Sequence, residues 1–162
     1  MLAGIAAVAT GLVAALGGFA PTSAARPYRT GEVVGLDRWD LSVHRAELVP
    51  GDADHEPEVR VWFTVVNTTE STLSQPWGLV KLMLPEGTPE ANDWTIPGRR
   101  GGFDPDVPQQ AYVSVPVSGW TGERRIGVQL SDERPSDTPA PIEVWRVTGP
   151  VAQVDVVCAG SP

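Results

Sequence analysis

The amino-acid sequence predicts an all-β domain: an antiparallel β-sandwich of about seven to eight strands, preceded by one N-terminal apolar helix. Three observations carry that expectation. From Gly31 onward apolar residues alternate with polar ones over short runs. Clusters of Pro, Gly and Asp separate the runs, and no helical stripe of useful length interrupts them. Ahead of them, Met1 to Ala20 is an unbroken run of small and apolar residues. A chain of 162 residues fits about one domain, and 41% hydrophobic with 20% charged residues is ordinary globular usage.

The strands are read in order. Glu32 to Leu36 comes first. Trp39 to Val49 follows, with Trp39, Leu41 and Val43 pointing one way and Asp40, Ser42 and His44 the other. In Val59 to Asn67, Val59, Val61, Phe63 and Val65 form the core face, while Arg60, Trp62, Thr64 and Val66 form the opposite face. Trp77 to Leu84, Ala111 to Val117, Arg125 to Leu130 and Ile142 to Thr148 supply four more, and Val151 to Val157 is an eighth strand or a tail. The connection from Pro85 to Pro108 holds five prolines and four glycines, so it reads as a loop. Ser131 to Pro141, with Pro135, Pro139 and Pro141, reads as a second one. Seven or eight strands over this length is the number an immunoglobulin-like sandwich needs. The organisation expected is therefore 1–20 apolar segment, 21–30 tether, 31–157 sandwich and 158–162 tail.

The first 25 residues contain no Asp, Glu, Lys or Arg. Twenty helical residues span about 30 Å, one hydrocarbon core. Two fates fit: a retained membrane anchor, or a signal peptide cut after Ser23-Ala24-Ala25. Either puts the following domain outside the cytoplasm, as a single-pass membrane protein with its C-terminal domain outside or as a secreted protein. The net charge of −8 gives nucleic acid and anionic lipid no global attraction. The single cysteine, Cys158, excludes an intramolecular disulfide, and its position marks it as an inert thiol near the chain end.

Chemistry-bearing residues are sparse. Of two histidines, His44 falls in the polar phase of its strand, and His55 lies in Gly51-Asp52-Ala53-Asp54-His55-Glu56-Pro57-Glu58. Alternating carboxylates there resemble the start of a calcium loop, but Pro57 stands at the glycine position and Phe63 at the terminal glutamate position. A solvated connection is the better account. No Gly-x-Ser-x-Gly and no phosphate-cradling glycine loop occurs, so no catalytic, cofactor or metal residues are expected. Six tryptophans stand at 39, 62, 77, 94, 120 and 145. Trp39 and Trp145 are expected in the core. Trp62 shares a face with Arg60 and Thr64, and Trp94 and Trp120 sit among loop residues. Trp62, Trp94 and Trp120 are thus the candidate partner contacts, although capping of the core is the commoner role for a loop tryptophan.

Gly31-Glu32-Val33-Val34, Trp39-Asp40-Leu41-Ser42-Val43, Ala46-Glu47-Leu48 and the strand ending in Asn67-Thr68-Thr69-Glu70 resemble exported or membrane-anchored immunoglobulin-like proteins of actinobacteria and other Gram-positive bacteria. That group includes a mycobacterial secreted immunoprotective antigen. The resemblance covers Gly31 to Thr69 and implies fold and location, with no catalytic residues to transfer. The function expected is a non-enzymatic, outward-facing module that binds another envelope or membrane protein. The alternative is a carbohydrate-binding module that stacks sugars on exposed tryptophans.

Overall fold

The computed structural model describes residues 25–76, 78–84, 94–98, 101–120, 122–136 and 145–159. The apolar segment 1–20, Trp77, residues 85–93 and 99–100 of the first proline-rich loop, residues 142–144 and the last three residues lie outside the described set. Among the described residues no helix is long and apolar enough to cross a membrane. All the regular structure described is strand: β1 (Arg26–Tyr28), β2 (Val33–Gly35), β3 (Trp39–Val49), β4 (Glu58–Asn67), β5 (Val80–Met83), β6 (Trp94–Thr95), β7 (Gln109–Pro116), β8 (Arg124–Pro135) and β9 (Trp145–Ala159).

The strands form one curled sheet in the order β5-β8-β9-β3-β4-β7-β6, with β1 on β9 and β2 on β3. The sheet is mixed rather than purely antiparallel, because β1 and β3 both run parallel to β9. The β3 to β9 contact is only Ala46 with Cys158 and Glu47 with Ala159, so it acts as a short seam between two broader antiparallel strips. Inside the curl lies one hydrophobic core. Leu41, Val59, Val61, Phe63 and Val65 reach it from the first strip, and Val80, Leu82, Ile126, Val128, Leu130 and Val154 from the second. The β4 alternation falls as its sequence requires, with Val59, Val61, Phe63 and Val65 fully buried and Arg60, Trp62, Thr64 and Val66 half-buried.

Several expectations need correction. Arg26–Tyr28, assigned to the tether, is a sheet strand, and Tyr28 packs against the core. Ser131–Pro135 extends β8 instead of forming a loop. Its acidic residues have partners on the bend before β3 and on its first residue: Asp132 Oδ1 accepts from the Asp37 amide (2.9 Å) and Glu133 Oε2 from Trp39 Nε1 (3.0 Å). Pro150 does not end β9, because it faces Ser131 where the β8 to β9 register shifts, and a proline without a ladder donor is tolerated at such a bulge. The strands expected at 142–148 and 151–157 are therefore one strand over the described residues. Trp145 is half-buried, with the Arg38 guanidinium 4.1 Å from its ring centre, and does not belong to the core.

Cys158, placed in the tail by its position, is in β9 and fully buried. Burial pushes its thiol pKa up, and the nearby Glu47 charge adds to the effect. A buried, protonated thiol is a poor nucleophile. Iodoacetamide should therefore leave Cys158 unmodified in the native protein and label it at the rate of unfolding, measured by intact mass with and without denaturant. Rapid native labelling would show that the end of β9 opens.

Asn67-Thr68-Thr69 closes β4 and is built for structure. Asn67 is fully buried, and its side-chain amide donates to the carbonyls of Ser71 (2.7 Å) and Phe103 (2.8 Å). Its oxygen accepts from the Thr69 amide (2.9 Å) and the Thr69 hydroxyl (2.8 Å). The backbone oxygen of Asn67 takes the Asp106 amide (2.9 Å), with Asp106 in the left-handed region at φ 56°. One side chain thus fastens two connections to the end of β4, with both of its donors and both acceptor positions used.

Candidate interaction surface

The outer face of the first strip carries a cluster of aromatic and charged side chains. β4 and β7 set it by register, because Trp62 lies directly opposite Tyr112 and alternation sends both away from the core. Their ring centres are 4.8 Å apart with planes tilted by 50°. A bulge in β3 completes the cluster. Val43 pairs with Phe63, but the next registered pair is Arg45 with Trp62, so His44 is the extra residue. Beyond that bulge the phase of β3 reverses. Arg45 and Glu47 join the outer face, while Ala46 and Leu48 pack against the core.

Each aromatic ring is held in place. The Arg45 guanidinium lies 4.8 Å from the Trp62 ring centre, and Trp62 Nε1 donates to Glu47 Oε1 at 2.7 Å. Arg60 stacks 4.9 Å from the Tyr112 ring centre and forms an ion pair with Glu58. Such cation–π contacts are each worth roughly 0.5–1 kcal/mol at exposed positions. Beside Trp62 a shallow groove of about 350 Å³ is lined by Ile96, Pro97, Gln109 and Gln110. Among the described residues the Gln109 side-chain amide has no hydrogen-bond partner, but its atoms are shut off from solvent and offer a ligand nothing.

The other expected contacts are elsewhere. Trp94 is 4% exposed, and Phe63 meets it edge-on at 4.9 Å, with Trp39 and Phe103 at 6.4 and 6.0 Å. The reason is β6: Trp94–Thr95, expected in a loop, pairs with Val113 and Tyr112 at the sheet edge and turns the indole inward. Trp120 is 9% exposed, with Arg124 over its ring at 4.9 Å. Both loop tryptophans therefore cap the core, and neither has a free face on which a sugar could stack. The structure brings Trp62 together with neither of them. Tyr112, Arg45 and Glu47 were not expected at the site. The alternation of Ala111, Val113 and Val115 signals an outward Tyr112, but the bulge that turns out Arg45 and Glu47 leaves no sequence mark.

At the end of the strip, the 50–58 connection borders a second, polar groove of about 550 Å³ with Val49, Arg60 and Pro116. Gly51 is required there, since a Cβ would sit 2.5 Å from the His55 carbonyl oxygen. Asp52 Oδ1 accepts from the amides of Asp54 (2.9 Å) and His55 (3.0 Å) and contacts His55 Nδ1 (2.9 Å). The Asp54 amide first, then the His55 ring, holds the Asp52 carboxyl below its usual pKa. These carboxylates do not converge: among the described residues no three His, Cys, Asp or Glu side chains are gathered as for a metal ion. No protein-family model matches the chain, and no curated protein matches it.

Proposed function

We propose that the chain is a non-enzymatic, immunoglobulin-like module of the cell envelope that binds another envelope protein through the Trp62–Tyr112 face. The fold reading is supported by strand order. β3-β4-β7-β6 and β5-β8-β9 follow the ABED and CFG sequence of immunoglobulin-like sheets, with the seam between the first and last of those strands. The location outside the membrane rests on the apolar run 1–20, retained as an anchor or removed ahead of Arg26. Both histidines have local structural partners, His44 on the Thr64 hydroxyl (2.7 Å) and His55 on Asp52, which favours binding over acid–base chemistry.

The observation that carries the reading is the clamped aromatic pair. Trp, Tyr and Arg are the residue types that dominate protein–protein hot spots, and here one Trp, one Tyr and two Arg are already ordered. Arginines lie over the rings, so a sugar would have to displace them to stack. A protein partner instead meets a fixed aromatic, Arg and Glu surface beside an apolar groove.

Crosslinking in the native membrane followed by mass spectrometry tests this. Trp62→Ala is expected to cost a hot-spot energy of about 2 kcal/mol, roughly a 30-fold loss of partner capture, with the fold checked by circular dichroism. Tyr112→Ala should act in the same direction. Unchanged capture by both variants would sink the proposal. Tryptophan quenching by cell-wall fragments that disappears in Trp62→Ala would favour the carbohydrate alternative.

A further inference from the structure

We infer that the protein bound by the Trp62–Tyr112 face is a second copy of this chain, packed face to face about a two-fold axis that crosses the strands between Trp62 and Arg60. The inference rests on the reading of that face as an interaction surface and names its occupant. It follows from the order in which register lays out the charges. Across β3, β4 and β7 one row of outward residues is Arg45, Trp62 and Tyr112. The next row, about 7 Å along the strands, is Glu47, Arg60 and Ser114.

A two-fold axis between these rows, in the plane of the sheet and perpendicular to the strands, exchanges them and keeps each strand over its own counterpart. Arg45 of one copy then stands over Glu47 of the other, and Glu47 over Arg45. Trp62 stands over Arg60 in the same way, which places a guanidinium on each indole from across the contact. An axis laid along β4 instead would put Arg60 over Arg60 and Glu58 over Glu58, so the charges select the first arrangement. The groups are open to such a contact. Arg45 and Glu47 lie 3.7 Å apart, with 55% and 39% of their side chains exposed.

The charge of the whole chain favours this patch for self-contact. At a net −8 two copies repel, but here Arg45 and Arg60 balance Glu47 and Glu58. The acidic 50–58 connection lies beyond the Glu47 row, between the end of β3 and the start of β4. The two-fold axis sends the two copies of that connection to opposite ends of the contact. The area fits a weak dimer. The face is the outside of a curl, which confines contact to three strands, about 15 Å across and about 34 Å along the 10 residues of β4. That gives about 500 Å² on each copy, or about 1,000 Å² in all, the low end for specific association and the range of transient complexes. Self-association is therefore reversible and depends on concentration.

The test uses full-length chains carrying two different tags, co-expressed, solubilised in mild detergent and purified through one tag. Wild-type copies should co-purify. Arg45→Glu paired with itself should lose at least about ten-fold of that signal, because two carboxylates then face each other, and Glu47→Arg paired with itself should lose as much through facing guanidinium groups. Arg45→Glu paired with Glu47→Arg should recover it, since opposite charges meet again at both positions. That recovery requires both variants to be folded. Glu47→Gln keeps an acceptor for Trp62 Nε1 and should weaken co-purification several-fold, which carries the test if a charge swap unfolds the chain. Co-purification unchanged in the folded variants, or lost in both swaps and not regained by the mixed pair with circular dichroism intact, overturns the inference. If wild-type copies stay apart while Trp62-dependent crosslinking captures a different protein, the second copy is wrong and the interaction surface stands. If Trp62→Ala alters neither readout, the surface itself is given up and the dimer with it.

Discussion

Phe63→Ala is expected to lower folding stability by about 3 to 5 kcal/mol, through lost burial plus the cavity left behind. Phe63 is fully buried on β4 and packs edge-on against Trp94, which in turn meets Trp39 and Phe103. Truncation takes away the ring that packs against Trp94, the central ring of that cluster, and leaves the two-residue β6 with less to hold it. Its neighbour should behave differently. Thr64 points outward, and Thr64→Ala loses one solvent-accessible hydrogen bond, to His44, worth about 0.5 to 1 kcal/mol. Arg60→Ala removes an ion pair and a stacking contact on a half-buried side chain and should cost about 1 kcal/mol. Denaturant melts of the three variants check the ordering. Equal losses at 63 and 64 would mean that both faces of β4 are shielded, and the proposed surface around Trp62 would have to be given up.

Asn67→Ala should cost about 2 to 5 kcal/mol, although it removes only a few atoms. The substitution removes all four hydrogen bonds of the Asn67 side chain, each worth about 0.5 to 1.5 kcal/mol net, and leaves the Phe103 carbonyl with the Leu73 amide and the Ser71 carbonyl with the Thr69 hydroxyl. Asn67→Asp is nearly isosteric and should be at least as harmful at neutral pH. Both donors become acceptors facing two carbonyl oxygens, and a charge is buried. That arrangement raises the folded-state pKa of the new carboxyl. The penalty is then largest above the folded pKa and shrinks as pH falls through it, because the protonated acid regains a donor. Chemical denaturation at two pH values, with hydrogen exchange of residues 68–73 and 101–106, measures the effect. A variant as stable as wild type would show that these two connections are held by other contacts. The burial of Asn67 also means that its Asn-Thr-Thr sequence cannot accept a glycan once the domain has folded.

The strand pattern was legible because a period of two is a local property. Wherever a run alternates without interruption, as in Val59 to Val65 or Ala111 to Val115, the core face follows from the residues alone. That alternation puts Trp62 on the outside without reference to any partner strand. The local rule fails where a distant partner changes the outcome. Proline and acidic residues at 131–135 look like a loop until Trp39 and Asp37, more than ninety residues earlier, supply donors for Glu133 and Asp132. For Trp94 and Trp120 the sequence leaves partner contact and core cap both open, and the curl of the sheet gives them a core to close. The sequence by itself determined the all-β class, the inward face of β4 and of β3 as far as Val43, and the apolar run ahead of the domain. Only the tertiary structure decided the bulge at His44, the parallel pairing of β1 and the meeting of Arg45, Glu47, Trp62 and Tyr112, because register is set by which chains lie side by side, and no single strand carries that information.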